Sequence, residues 1–436
     1  MPSSGSARTD HEFEVHEPRP GLFLHLNSTS KRKTNHLAAY WVGALAREDV
    51  TVRALLPAVL GRGTRSFPTL QEIHRRLEYL YGSSFSGDSS KIGERHVIGF
   101  RGEFVNDNYL PPGEGIVGSM VGFADEFMRC PRLVDGRFPT EVVEQEKVNH
   151  QRLIEGLLND KQSYAYERCL AHMCATEPYH LSEYGCVEDL PGITADDLVD
   201  QMRRCVEKGE VHIYFSGDLE PDVAARALAP LVDGARGPSI SLPTPTPDRA
   251  VTRPHRVSEQ LDVQQTQLVL GFRTRTRFGD PLLPGLIIAN GILGLFPHSK
   301  LFVNVREKAS LCYSIGSHLE RSQGLLFITS GVAPAQAEPA LDLIQAQLRD
   351  LQAGEFEDGE LAATLAGFDS RLAILEDTPS ALIGTDLTWS LSGVAYDHTA
   401  YRRSLQAVTR ELVVEAARRI ELDTVYRLEP GVSPQP

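Results

Sequence analysis

Leu70, Ile73, Leu77 and Leu80 recur at three- and four-residue intervals, the spacing of one face of a helix, and predict a helix over 70–80. Thr69 stands three residues ahead of Glu72, a capping box in which each side chain satisfies the other's backbone N–H. Gly82 is expected in the left-handed position past the end of that helix, which glycine adopts without strain. Ile98, Phe100, Gly102 and Phe104 alternate with Val97, Gly99, Arg101 and Glu103, a two-residue period that predicts a strand over 96–104. Val211-His212-Ile213-Tyr214-Phe215 reads as a strand entering the turn Ser216-Gly217-Asp218, with a helix starting at Pro221.

The same order of elements recurs in both halves. A strand at 37–45, helices at 51–60 and 70–80, and strands at 83–88 and 96–104 make up the first series. The second has a strand at 265–272, helices at 282–293 and 300–308, and strands at 311–318 and 325–332. Leu80-Tyr81-Gly82-Ser83 and Leu311-Cys312-Tyr313-Ser314 occupy matching places, 311 − 80 = 231 residues apart. Long helical patterns follow at 140–159 and 357–375. Between the halves, residues 234–254 contain Pro243-Thr244-Pro245-Thr246-Pro247, a density of proline that fits only an extended, stiff linker. The expected organisation is an N-terminal domain over 1–233, a linker over 234–254 and a C-terminal domain over 255–436. Mixed helices and strands in each half indicate α+β domains of like topology, each a mainly antiparallel sheet with helices on one face.

Composition narrows the class. With 436 residues, 41% hydrophobic and 23% charged, the chain suits two globular cores. A net charge of −14 disfavours nucleic acid and anionic membranes as partners, since both need basic footprints. Residues 1–18 are polar and lack the apolar core of a secretory signal, so a cytoplasmic location is expected. Cys130, Cys169, Cys174, Cys186, Cys205 and Cys312 are scattered without a C-x-x-C pair and read as reduced thiols. Cys169, His172 and Cys174 could together approach a metal, although Leu170 and Met173 between them suggest a helix face.

Ala54-Leu55-Leu56-Pro57-Ala58-Val59-Leu60-Gly61-Arg62-Gly63-Thr64 ends in L-x-x-G-T and resembles the catalytic helix of the insulinase-like (inverzincin) zinc peptidases. In active members H-x-x-E-H precedes that ending. The resemblance puts Ala54 and Ala58 at the zinc-ligand positions and Pro57 at the general base. Neither alanine nor proline offers a side-chain lone pair to a metal. The family's further ligand is the second of two glutamates seven apart on a later helix; Glu146 matches the first and Leu153 occupies the second. Pro57 inside the helix is expected to bend it or delay its start.

The resemblance spans about residues 22–429 and is nearest to the non-catalytic members of the two-domain bacterial branch. It implies a half-clamshell that pairs with an active H-x-x-E-H homologue, with zinc in the partner and no cofactor in this chain. It also implies a positive contribution, an arginine and a tyrosine seven residues apart, which match Arg306 and Tyr313. A tyrosine hydroxyl can donate to the oxyanion of a tetrahedral intermediate, and a guanidinium can hold a substrate carbonyl. Each residue also has a plain structural reading: Arg306 as a cation near a helix C-terminus, Tyr313 as core beside Ile315. The segment 289–297 resembles the loop near the family's chamber entrance. The implied function is a non-catalytic subunit of a heterodimeric zinc peptidase that grips extended peptide at a sheet edge. The alternatives are a structural or peptide-binding scaffold of the same fold, and an independent hydrolase using Glu146 and His150, which share a helix face.

Overall fold

The computed structural model describes residues 11–157, 159–233 and 241–431, so linker residues 234–240 and the first ten residues lie outside the described residues. Two compact units form. The first contains the chain up to Ile154 together with Leu181–Thr244 and Thr378–Leu391; the second contains Glu155–His180, Pro245–Asp377 and the chain from Ser392 onward.

The first unit is built on strands β1 (Glu14–Arg19), β2 (Leu22–Ser28), β3 (Thr34–Ala44), β4 (Ser84–Ile92), β5 (Arg95–Val105) and β6 (Glu210–Gly217), in the order β1-β2-β6-β3-β5-β4. The second is built on β7 (His255–Leu261), β8 (Thr266–Arg273), β9 (Cys312–Glu320), β10 (Leu325–Val332) and β11 (Glu421–Pro430), in the order β7-β11-β8-β10-β9. Apart from the extra edge strand β1, the two orders superimpose strand for strand. Each sheet has one parallel pair, β2 with β6 and β7 with β11, and every other pairing is antiparallel. The duplication legible in the sequence is thus a repeat of topology.

β3 explains why its sequence is apolar without a break. Leu37, Ala39 and Trp41 pack on one side of the sheet with helices Val50–Leu60, Ile116–Arg129 and Ala195–Lys208, while Ala38, Tyr40 and Val42 pack on the other. A central strand buried on both faces has no polar alternation to show. That other face is covered by helix Pro379–Leu391, through Ile383 and Leu387. The second sheet is built alike. Leu268, Leu270 and Phe272 face the main helical layer, and Val269 and Phe327 meet helix Lys161–Met173 through Ala165, Cys169 and Leu170. To the helical face expected from the sequence, each sheet therefore adds one helix on the opposite face.

Local chemistry follows the pattern with two departures. Thr69 and Glu72 form the capping box at helix Leu70–Tyr79. Past its end, however, Tyr81 (φ 59°) precedes Gly82 (φ 70°) in the left-handed region, so the reversal takes two residues. The expected helix over 300–308 is a wide helix, Leu301–Lys308, in which Ala309 N–H reaches back five residues to Asn304 O at 3.2 Å. Among the described residues no helix is long and apolar enough to cross a membrane.

Candidate functional site

Helix Val50–Leu60 begins ahead of Ala54 and continues past Pro57, so the late start does not materialise. Ala54 and Pro57 are buried and Ala58 is half-buried, so the positions that the resemblance assigns to ligands and base present only hydrocarbon. Leu153, on helix Thr140–Leu157, is 47% exposed and equally without a donor. Glu146 and His150 on the same helix are both buried and both occupied. Arg62, just beyond the end of helix Val50–Leu60, forms an ion pair with Glu146, and Asn149 donates to the same carboxylate at 3.1 Å. His150 Nε2 lies 2.8 Å from Tyr184 O, and since a carbonyl only accepts, that nitrogen is the protonated one. Burial pushes the His150 imidazole down in pKa, toward its neutral form.

The loop that supplies Tyr184 is tied to the start of helix Val50–Leu60. Thr51 Oγ1 accepts from Cys186 N–H at 3.1 Å, and a Cβ on Gly185 would lie 2.2 Å from that oxygen. Gly185 also has φ +72°, so position 185 requires glycine on two counts. His96 Nε2 donates to Glu183 O at 2.9 Å, while its Nδ1 accepts from Arg53 Nε at 3.1 Å. Burial and the Arg53 charge push His96 down to a pKa of about 3.

These residues do not fit a zinc ion. The four motif positions lack donors, and the two neighbouring polar groups already have partners. Among the described residues no group of three or more His, Cys, Asp or Glu is placed to hold a metal. The Cys169/His172/Cys174 alternative separates likewise: both thiols are fully buried in an apolar cluster, and His172 faces Glu259 at 3.5 Å. Burial raises the Cys169 thiol above its ordinary range.

Arg306 and Tyr313 lie at the join of the wide helix Leu301–Lys308 and strand β9. Leu311 N–H donates to Val305 O at 3.1 Å, closing the turn between them, and Ser310 takes φ +51° within it. Arg306 is half-exposed, its guanidinium 4.5 Å above the Phe302 ring and 3.7 Å from Glu307 Oε1. Tyr313 is not core. It is 79% exposed, while Ile315 packs inward. The reason is a β-bulge: Ser314 pairs with Gly331 and Cys312 with Val332, leaving Tyr313 as the extra residue. The segment 289–297 packs against β9 from behind, where a Cβ on Gly294 would lie 2.7 Å from Ser317 Oγ and 2.8 Å from Leu301 Cδ1. Sequence reasoning missed Arg62, Tyr184 and Phe302. Phe302, four positions before Arg306, was open to reading as a same-face helical pair.

The described geometry agrees with comparisons to known proteins. Residues 192–368 match the family described as Peptidase M16 inactive domain. A Bacillus subtilis (strain 168) protein named probable inactive metalloprotease YmfF is 32% identical over 416 residues, 95% of this chain and 97% of its own. A solved structure of a conserved protein from Enterococcus faecalis V583 shares 26% identity with a TM-score of 0.89, covering 97% of this chain and all of that one (100%). A solved structure of a peptidase M16 inactive domain from Pseudomonas fluorescens, 18% identical, matches in fold with a TM-score of 0.78 over 97% of this chain and 100% of its own. With a relative this similar along nearly its whole length, the chain belongs to the M16, insulinase-like peptidase family as a non-catalytic member.

Proposed function

We propose that this chain is the non-catalytic subunit of a heterodimeric zinc metallopeptidase acting in peptide processing or degradation in the cytoplasm. An active H-x-x-E-H homologue holds the zinc; this chain shapes the peptide chamber, grips extended peptide, and lends Arg306 and Tyr313 to the partner's site. The observation that carries the reading is Tyr313 itself. A bulged edge-strand tyrosine that is 79% exposed does nothing for its own core, and its hydroxyl is available to a neighbour. Bulges recur next to active sites because they re-aim one side chain without disturbing the sheet. Arg306, steadied on Phe302, presents a planar donor fork from the end of the wide helix Leu301–Lys308.

The experiment is co-expression with an H-x-x-E-H relative, co-purification, and zinc-dependent cleavage of an extended peptide. Cleavage should require both chains, and should fall in Arg306→Ala and Tyr313→Phe complexes that still assemble. Full cleavage by the relative alone would overturn the reading, and full activity in both variants would leave only a scaffold role.

A further inference from the structure

Where strand β3 leads into helix Val50–Leu60, the first unit forms a cavity of about 320 Å³. Its walls come from the end of β3, the first turn of that helix, helix Ala195–Lys208, and Leu242 and Pro243 of the proline-rich segment. The volume lies at the lower end of the range for small-molecule sites.

Arg53 lines this cavity and is only 5% exposed. Its Nε donates to His96 Nδ1 at 3.1 Å, and its Nη2 donates to His96 O at 3.1 Å and Trp41 O at 3.5 Å. Nη1 donates to Cys205 Sγ at 3.5 Å. Four of the five N–H groups are thus placed, and one on Nη1 is left over. The imidazole and the thiol are both held neutral by burial, and the other two acceptors are carbonyls. None of them carries the counter-charge that a buried guanidinium needs.

A carboxylate in equal need lines the same cavity. Asp49 stands at the N-cap position of helix Val50–Leu60, yet its side chain does not cap the helix. Its Oδ1 is buried without a hydrogen-bond partner among the described residues. Burial outweighs the nearby Arg53 and Arg204 charges and pushes the Asp49 carboxyl up. Arg204, on helix Ala195–Lys208, brings a second guanidinium to the cavity and is exposed.

This mixture of signs selects the ligand. A plain anion meets Glu48, Asp49 and Glu210 in the cavity, and more carboxylates in the broader cleft that shares Asp49 and Arg204 with it. A plain cation meets two guanidiniums. An α-amino acid carries a carboxylate and an ammonium on one carbon and so answers both needs. Val42, Leu242 and Pro243 make the remaining wall apolar.

We propose that this cavity binds a free α-amino acid with an apolar side chain, its carboxylate on Arg53 and Arg204 and its ammonium on Asp49. Charge-assisted hydrogen bonds of this kind are the strong ones, and a packed Arg53 gives up little freedom to make one. A residue within a peptide carries neither charge and a peptide end carries one, so the pairing singles out the free amino acid. The site belongs to the first unit and Arg306 and Tyr313 to the second, so it stands independently of the heterodimer reading.

Isothermal titration calorimetry of the full chain with L-alanine, L-valine and L-leucine tests the assignment. At least one should bind, at one site per chain. Its amide keeps only the ammonium and its N-acetyl form only the carboxylate. Each derivative should bind about tenfold more weakly or worse, the effect of losing one charge-assisted hydrogen bond. Asp49→Asn and Arg204→Gln should each weaken the parent amino acid by a similar factor. Arg204 is exposed, so Arg204→Gln should leave the urea midpoint unchanged and carries the test even if Asp49→Asn lowers stability. No binding of any of the three at millimolar concentration would overturn the proposal. So would a derivative that binds as tightly as its parent, or undiminished binding in Arg204→Gln.

Discussion

Arg62 reaches back from just beyond helix Val50–Leu60 to neutralise Glu146, an ion pair across 84 residues of sequence. The Glu146 carboxylate is thus a structural anchor in this chain. Arg62→Ala would leave a buried charge without its partner. Because the Arg62 side chain is 35% exposed, water recovers part of the loss, and destabilisation of about 2 kcal/mol is expected. Urea unfolding should show it, and adding Glu146→Gln should recover most of it. Equal losses in the single and double variants would refute the pairing.

Rebuilding only the visible half of the zinc motif should fail. Ala54→His with Ala58→His restores two imidazoles, but Pro57 still occupies the base position and Leu153 still lacks a carboxylate. Ala54 is 6% exposed, so an imidazole there also overpacks the core, at about 1–3 kcal/mol. Metal analysis after dialysis against a weak chelator should find no stoichiometric zinc in the double variant. Retention of one zinc per chain, with peptide cleavage, would contradict this.

Much of the fold was open to reading because local rules agreed with tertiary packing. The Thr69–Glu72 capping box and the alternation through Phe100 both persist in the structure. What was missed depended on distant partners. Strand β1 is mostly polar and largely exposed, and its strand form comes from pairing with β2. Cys169, Leu170 and Met173 marked a helix face, but nothing local says that the face lies against Val269 and Phe327. At the candidate site, simple alternation put Tyr313 on the same inward face as Ile315. The one-residue bulge opposite Gly331 and Val332 breaks that inference, and bulge placement is a property of the pairing.

His96 ties acid stability to the ground around helix Val50–Leu60. Its folded-state pKa is about 3, held down by burial and by Arg53, against an ordinary value of 6.5. The unfolded chain therefore binds a proton that the folded chain refuses. The stabilisation is fully present above the unfolded value and is lost as pH falls from there toward the folded one. Each pH unit through that window removes up to about 1.4 kcal/mol. Urea midpoints should drop steeply from pH 7 to 5, and His96→Gln should flatten the slope even if it lowers stability at pH 7. An unchanged slope in that variant would assign the acid sensitivity elsewhere.

Tyr313→Phe and Arg306→Ala separate contribution to a partner from contribution to this fold. Because Tyr313 is 79% exposed, deleting its hydroxyl should leave the unfolding midpoint of the isolated chain unchanged within about 0.5 kcal/mol. In the complex with an active homologue, the same change should lower turnover about a hundredfold, the usual effect of losing one oxyanion donor, with assembly and zinc content intact. Arg306→Ala should act in the same direction, and Arg306→Lys should restore charge without the planar fork and so recover little. A Tyr313→Phe variant that destabilises the free chain and leaves turnover untouched would make the tyrosine part of this fold alone.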